Sequence, residues 1–408
     1  MNRYIINSIW LMLDKVLVLG GGLLVFILVS NYLGPEELGK ITFGVALSAL
    51  PITLSQWGSN FTIFNATIEK ERRALAFIKS TELLRASIYI IGSILLLFIL
   101  SFTKYSSDVL VLGCVIISHV FVGLDIYQYY FNAKLQSKVN ATSNFISKLF
   151  AMLTRVIFVF SSVSPKLFFI PYLINNFLCY LLRKNKMDKG DNVPVNKRYA
   201  LHFIQSGKLF LFSSLLTLAY TKANDIILTA TTSYSNLAIY NVALTLSFAW
   251  TFIPLSIGTS YLTRAIETKI DDDFVNLHRY MLISSLPILI GLYFLSDFIV
   301  ELLFDESYSS AKEILFILSI SSFLSTLNVV NNRIIGAFNG DKYLTKKIII
   351  CSIISVGISF IFIDSFGLIG AAYASLFSEL LSLTIGNYFF KNKSILSYHF
   401  KSILGVVR

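Results

Sequence analysis

The chain has 408 residues, of which 55% are hydrophobic and only 14% charged, and its mean hydropathy is +0.71. A soluble domain carries about a quarter of its residues as Asp, Glu, Lys and Arg, so this one cannot clothe a water-facing surface. Composition excludes a soluble enzyme and a disordered scaffold. The net charge of +11 is then informative by position rather than by size.

A membrane-crossing helix needs about 20 mostly apolar residues. Such runs are predicted at residues 8–31, 39–61, 86–103, 109–131, 149–164 and 167–182, and again at 209–230, 236–262, 280–302, 314–337, 348–364 and 368–390. The first is too long for a signal-peptide core and has no small-residue cleavage site before Asn31, so it is expected in the mature protein. With the amino terminus on the cytoplasmic side, Lys and Arg outside the spans collect in alternate loops and in the tails. Only Lys40, Lys104, Lys166 and Lys312 fall opposite. The pattern predicts both termini cytoplasmic, an amino-terminal six-helix lobe over 1–182, a basic cytoplasmic linker over 183–208, a second lobe over 209–390 and a tail over 391–408. The linker's lysines lack interleaved aromatics, which argues against nucleic acid and for anionic lipid heads.

Ionisable residues inside the spans are costly, about 2.5–3.5 kcal/mol each on insertion scales, and therefore point to cavities or to one another. The first span carries Asp14 and Lys15, then Gly20, Gly21 and Gly22, whose missing side chains permit a bend or a close approach. Lys15 also lies near enough to the span's end to snorkel. Pro51 and Pro254 interrupt the second and eighth spans at nearly the same depth. Asp125 lies in the fourth span beyond His119, which reads as a packing residue. Arg155 stands in the fifth with no acid nearby in sequence. In the seventh, Lys222 and Asp225 are three apart and share a face, with Thr217, Thr221 and Asn224 extending the stripe. The tenth has Ser325, Asn328 and Asn332 at helical spacing beside Asn331 and Arg333, and the twelfth has Glu379 at mid-depth. Each of these embedded groups fits either a ligand contact or a polar contact between helices.

Catalytic chemistry is not indicated. Cys114, Cys179 and Cys351 are scattered through apolar runs without disulfide or metal-ligand spacing, and Asp271-Asp272-Asp273 reads as a solvated loop between Lys269 and Arg279. No phosphate loop, nucleophile elbow or zinc motif occurs, and no cofactor or metal is expected. The predicted outer loops are too short to hold an acceptor domain.

The two halves echo each other. Residues 38–48 (LGKITFGVALS) align without gaps on 237–247 (LAIYNVALTLS), and an even helix count per half implies a parallel repeat about an axis along the membrane normal.

Four stretches also carry a resemblance. Tyr32-Leu33-Gly34-Pro35-Glu36-Glu37-Leu38-Gly39, the segment Asp125-Ile126-Tyr127-Gln128-Tyr129-Tyr130-Phe131-Asn132-Ala133, the helix opening at Ala238-Ile239-Tyr240-Asn241-Val242-Ala243, and Leu302-Leu303-Phe304 followed by Tyr308 resemble bacterial polysaccharide repeat-unit flippases of the O-antigen type. Ala238 replaces a frequent glycine and Ile41 a frequent aromatic. The resemblance implies an all-α polytopic membrane protein of the multidrug, oligosaccharidyl-lipid and polysaccharide exporter superfamily, with twelve transmembrane helices in two six-helix lobes around a central cavity. It implies a transporter of the bacterial inner membrane, not an enzyme, that moves undecaprenyl-diphosphate oligosaccharide by alternating access, with a coupling proton or sodium ion, beside a polysaccharide polymerase and chain-length regulator. Lys15, Arg155, Lys222 and Arg333 would meet diphosphate or sugar, and Asp14, Asp125, Asp225 and Glu379 would balance charge or carry the coupling ion. The rival readings are a cation-coupled multidrug exporter of the same superfamily, a membrane-embedded glycosyl- or acyltransferase, and an assembly scaffold.

Overall fold

The computed structural model describes residues 3–187, 195–391 and 394–404, with side chains from Gly20 to Ile403 within those limits. Among them there is helix and turn but no strand. The chain packs as two compact units, Met1–Leu218 and Ala219–Arg408. The first holds α1 (Arg3–Gln56), α2 (Ser59–Glu69), α3 (Glu71–Leu100), α4 (Val109–Ser118), α5 (Val120–Leu124), α6 (Tyr127–Ala133), α7 (Ser137–Phe160), α8 (Ile170–Lys186) and the start of α9 (Lys197–Thr231). The second holds the rest of α9, then α10 (Tyr234–Ala249), α11 (Phe252–Thr268), α12 (Asp271–Leu303), α13 (Ala311–Ala337), α14 (Asp341–Leu383), α15 (Ile385–Tyr388) and α16 (Ser394–Leu404).

By length and composition, nine segments among the described residues could cross a membrane, or ten if α10 and α11, bent by 46°, form one span. Two of the nine, Gly20–Glu69 and Asp341–Tyr388, are broken by glycines at positive φ, Gly34 (69°) and Gly367 (55°). Each therefore contains two of the spans predicted from sequence, and the order of all twelve agrees. The protein is an all-α, multi-pass membrane protein. The break at Gly34 is local chemistry. The residue before a proline is driven out of the helical region, glycine alone tolerates the positive φ without strain, and Pro35 then suits the first turn of the next helix. Several helices start earlier than their apolar runs, at Glu71, Ser137 and Lys197, since polar turns extend the rods past the greasy stretch. Helix likewise covers 183–186 and 197–208 of the basic stretch.

The fourth span, expected to be continuous, is broken at His119 and again at Asp125–Ile126. Carbonyls freed in a helix inside a membrane must find donors within the protein. Side chains from other helices add donors around these breaks, three of them to carbonyls that also accept a backbone N–H: Tyr89 donates to Ile116 O (2.6 Å), Asn176 to Ser118 O (3.1 Å), Gln56 to Val122 O (2.9 Å) and the fully buried Arg85 to Leu124 O (2.5 Å). No donor on the fourth span's own sequence hints at this.

The aligned segments of the two halves behave alike. Residues 38–48 and 237–247 fall in the same burial classes at every aligned position except Lys40/Ile239 and Ala46/Thr245. The units have separate cores, one around Phe77, Tyr127, Phe131 and Phe203, the other around Trp250, Phe274, Met281 and Phe323. Large apolar side chains such as Ile94, Phe98, Phe160, Phe294 and Phe366 point outward, as a lipid-facing surface requires.

Candidate functional site

The second unit holds an open cavity of about 280 Å³ whose walls come from α9, α10, α13 and both halves of α14. For a space among apolar helices its lining is polar. Three ionisable groups face it: Lys222, Asp225 and Glu379. Lys222 Nζ donates to Asp225 Oδ2 at 2.8 Å, with the Asp225 side chain 9% exposed and that of Lys222 32%. The spacing of three read from the sequence thus closes into an ion pair on one helix. Between them in sequence, Asn224 Nδ2 donates to Ser375 Oγ (2.8 Å) and Tyr240 Oη (3.1 Å), while the Tyr240 and Ser375 hydroxyls lie 2.7 Å apart. This three-member network ties α9, α10 and α14 together around the opening. Asn224 Oδ1 is buried and has no hydrogen-bond partner.

Glu379 is held from two sides, by Tyr220 Oη (3.1 Å) and by Asn328 Nδ2 (2.7 Å to Oε2). Both partners donate, so they stabilise a carboxylate. The polar stripe of α13 continues away from the cavity. Asn332 Oδ1 accepts from Lys347 Nζ (3.0 Å), which also donates to Asn387 Oδ1 (2.8 Å). Lys347 is buried, and no ion pair to it occurs among the described residues. Sequence reasoning missed this lysine because it stands just before the apolar run at 348. Its only trace there was Asn332 on the stripe. Further along, the Asn331 amide sits between two imidazoles, 2.9 Å from His278 Nε2 and 3.0 Å from His399 Nε2.

In the first unit a much smaller cavity, about 30 Å³, is lined by Phe26, Val29, Leu33, Leu38, Ile41, Arg155, Phe168 and Tyr172. The register that aligns 38–48 with 237–247 pairs Ile41 with Tyr240 and, carried back, Phe26 with Asp225. Two positions of the repeat thus line a cavity in each unit, as Phe26 and Ile41 in the first and as Asp225 and Tyr240 in the second. Arg155 is the single ionisable group in the first. Its guanidinium lies 4.7 Å from the Tyr172 ring centroid, a cation–π contact, and the His119 ring lies tilted against the same tyrosine at 5.5 Å between centroids. No ion pair to Arg155 occurs among the described residues.

The remaining sequence candidates separate. Asp125 and Arg183 form a buried ion pair, and Arg183 Nη2 also donates to Asn144 Oδ1 (2.7 Å). Arg183, assigned to the basic stretch from sequence, is thus an interior residue. Arg333 is exposed on α13 and lines neither cavity. The side chains of Asp14 and Lys15 lie outside the described residues. Helix runs unbroken through Gly20, Gly21 and Gly22, and Met152 of α7 comes within 3.4 Å of the Cβ position at Gly22. Pro51 is buried inside α1 against Gly92 of α3 (3.6 Å to its Cβ position), and Pro254 sits in the first turn of α11, just past the 46° bend. No cluster of metal-ligating residues occurs among the described residues.

A family model described as "Polysaccharide biosynthesis protein" matches residues 5–262. The chain belongs to that family. This polysaccharide biosynthesis protein has the fold of several solved membrane proteins. One is a lipid II flippase MurJ in an inward closed conformation, with TM-score 0.73 and 15% identity, covering 98% of this chain and 91% of that one. Another is an inward-facing multidrug resistance MATE family transporter of the MOP superfamily, with TM-score 0.64 and 12% identity, covering 96% and 98%. A MATE structure in the straight conformation matches with TM-score 0.56 at 13% identity, covering 97% and 96%. No curated protein sequence matches the chain.

Proposed function

We propose that this protein is a flippase that carries undecaprenyl-diphosphate-linked oligosaccharide repeat units across the bacterial inner membrane by alternating access, driven by a proton or sodium ion, for O-antigen or capsule synthesis. The observation that carries the reading is the polar cavity bounded by Lys222, Asp225 and Glu379 inside a bundle of apolar helices, in a member of a polysaccharide biosynthesis family. Such groups are costly in a membrane and are kept where a polar cargo passes. The fold shared with a lipid II flippase supports a lipid-linked cargo whose tail stays in the bilayer.

In this reading Arg155, with its free donors and its aromatic platform, serves the diphosphate together with Lys15. The Lys222–Asp225 pair faces the sugar path, and Glu379 is the carboxylate that loads and releases the coupling ion. Arg333 is dispensable. Residues 1–182 and 209–390 act as the two lobes, 183–208 as their cytoplasmic connection and 391–408 as a cytoplasmic tail, with the polymerase and chain-length regulator as partners downstream. The test is delivery of lipid-linked oligosaccharide to the outer leaflet in cells dependent on this chain. Loss of delivery on its deletion, restored by the wild type, is expected. Undiminished delivery without it overturns the reading.

One observation favours a second reading. The cavity's ionisable lining, one lysine against two carboxylates, carries an excess of negative charge, which suits the cationic cargo of a multidrug exporter. Ethidium efflux that depends on Glu379 in the same cells would select that reading.

A further inference from the structure

The second unit's cavity has the chemistry of a sugar site and lacks that of a phosphate site. Its one cation, Lys222, is already bound to Asp225 at 2.8 Å, and the remaining ionisable group is a carboxylate, Glu379. A diphosphate placed here would meet two carboxylates and no uncommitted cation, a repulsive arrangement. Uncharged hydrogen-bonding groups are plentiful by contrast. Ser321, Ser359 and Ser378 face the cavity from three different helical segments, and none makes a hydrogen bond to another described residue. Serines in helices usually bond back to a carbonyl one turn earlier, as Ser375 does to Ala371 O. Three that do not are left with their donors and acceptors available. Asn224 lies on the same wall and braces it. Its Nδ2 is shared among Ser375, Tyr240 and the Ala371 carbonyl (3.4 Å), which fixes the amide's orientation and leaves Oδ1 buried and unpartnered. Tyr220 and the half-exposed Phe248 supply aromatic faces.

We propose that this cavity seats one uncharged polyhydroxyl ring, a single hexose-type sugar of the cargo, and excludes its diphosphate. The inference rests on the flippase reading and divides the cargo's headgroup: sugar in the second unit's cavity, phosphate elsewhere. Alternating hydroxyls of a pyranose match scattered single donors and acceptors, and its C–H face packs on an aromatic ring. The volume, about 280 Å³, is near the ~300 Å³ lower bound of small-molecule sites, which suits one ring and not a chain of them.

Saturation-transfer NMR on the purified full chain in detergent tests this with glucose, N-acetylglucosamine and glucose 1-phosphate as probes. The two neutral sugars are expected to give saturable signals, with glucose 1-phosphate about ten-fold weaker or absent. Ser375→Leu, which fills the cavity, and separately Ser359→Leu, should each abolish the neutral-sugar signal in protein that remains monodisperse. Equal or stronger binding of glucose 1-phosphate, signals that survive both substitutions, or no signal from any probe overturns the proposal. Delivery of lipid-linked oligosaccharide is measured separately. A chain that delivers cargo without this sugar preference loses the subsite alone, and one that binds the sugars without delivering cargo loses the flippase reading alone.

Discussion

Lys222 and Asp225, three residues apart on α9, are joined through Nζ and Oδ2 at 2.8 Å, and this pair determines the electrostatics of the cavity they line. It consumes the cavity's only lysine and leaves Glu379 as the charge that a ligand meets. Asp225→Asn releases that lysine. The loss of the pair is expected to destabilise the protein by about 1–2 kcal/mol, less than the ~3–5 kcal/mol of a fully buried pair because Lys222 stays partly exposed. The double variant Lys222→Met/Asp225→Asn should recover most of the loss. Thermal unfolding of the purified protein reads both.

Arg155 and Arg333 are both arginines embedded in predicted spans, yet one lines a cavity on the face of Tyr172 and the other is exposed. Arg155→Ala is expected to lower oligosaccharide delivery by about ten-fold, the loss of roughly one charge-assisted contact. Arg333→Ala should leave delivery within two-fold of wild type, about 0.4 kcal/mol. Equal losses from the two would remove the case for an arginine-lined path through the first unit.

Asp125 and Arg183 are both buried, and Asp125 Oδ1 and Arg183 Nε are left without partners, so the pair has little to fall back on. Removing one member leaves the other buried and unpaired. Arg183→Ala is expected to cost about 3–5 kcal/mol, read as a large drop in melting temperature, whereas Asp125→Asn, which keeps a polar partner for Arg183, should cost less.

The helix α16 docks through Ile395, Tyr398 and Ser402, with Tyr398 donating to Asp271 Oδ1 (2.7 Å) and His399 meeting Asn331. Burial, then the facing His278 imidazole and the Lys347 ammonium, hold His399 well below the usual histidine range. A base whose folded pKa is depressed binds fewer protons folded than unfolded. Its contribution is therefore complete above the ordinary histidine pKa of ~6.5 and is lost as pH falls from there toward the depressed value. Hydrogen exchange over 394–404, corrected for intrinsic rates, should rise as pH drops from about 7.5 to about 5, and His399→Gln should flatten that dependence.

Gly370, three residues past the break at Gly367, brings its backbone against the preceding half of α14. A Cβ there would lie 1.9 Å from Phe362 O. A backbone oxygen cannot rotate aside, so Gly370→Ala must reopen the kink. Destabilisation of at least about 3 kcal/mol is expected, or failure to fold, while Gly357→Ala in the same helix, with open space around it, should be neutral or slightly stabilising.

The positions and order of the twelve spans, their all-helical nature, the echo between halves and the Lys222–Asp225 face were all legible in the linear chain. Each depends on neighbours within one helical turn or on hydropathy summed over about 20 residues. Gly34-Pro35 likewise announces its break by local sterics alone. Which embedded charges share a space was decided by tertiary packing, because a helix fixes the face a residue occupies but not the helix that faces it. Packing buried Lys347 against Asn332 and Asn387, took Arg183 inside to Asp125, left Arg333 exposed, and broke the fourth span where Tyr89, Asn176, Gln56 and Arg85 arrive from other helices to donate to its carbonyls. Those partners lie 15 or more residues away along the chain, beyond the reach of any periodicity, and desolvation makes their pairing compulsory once the helices meet.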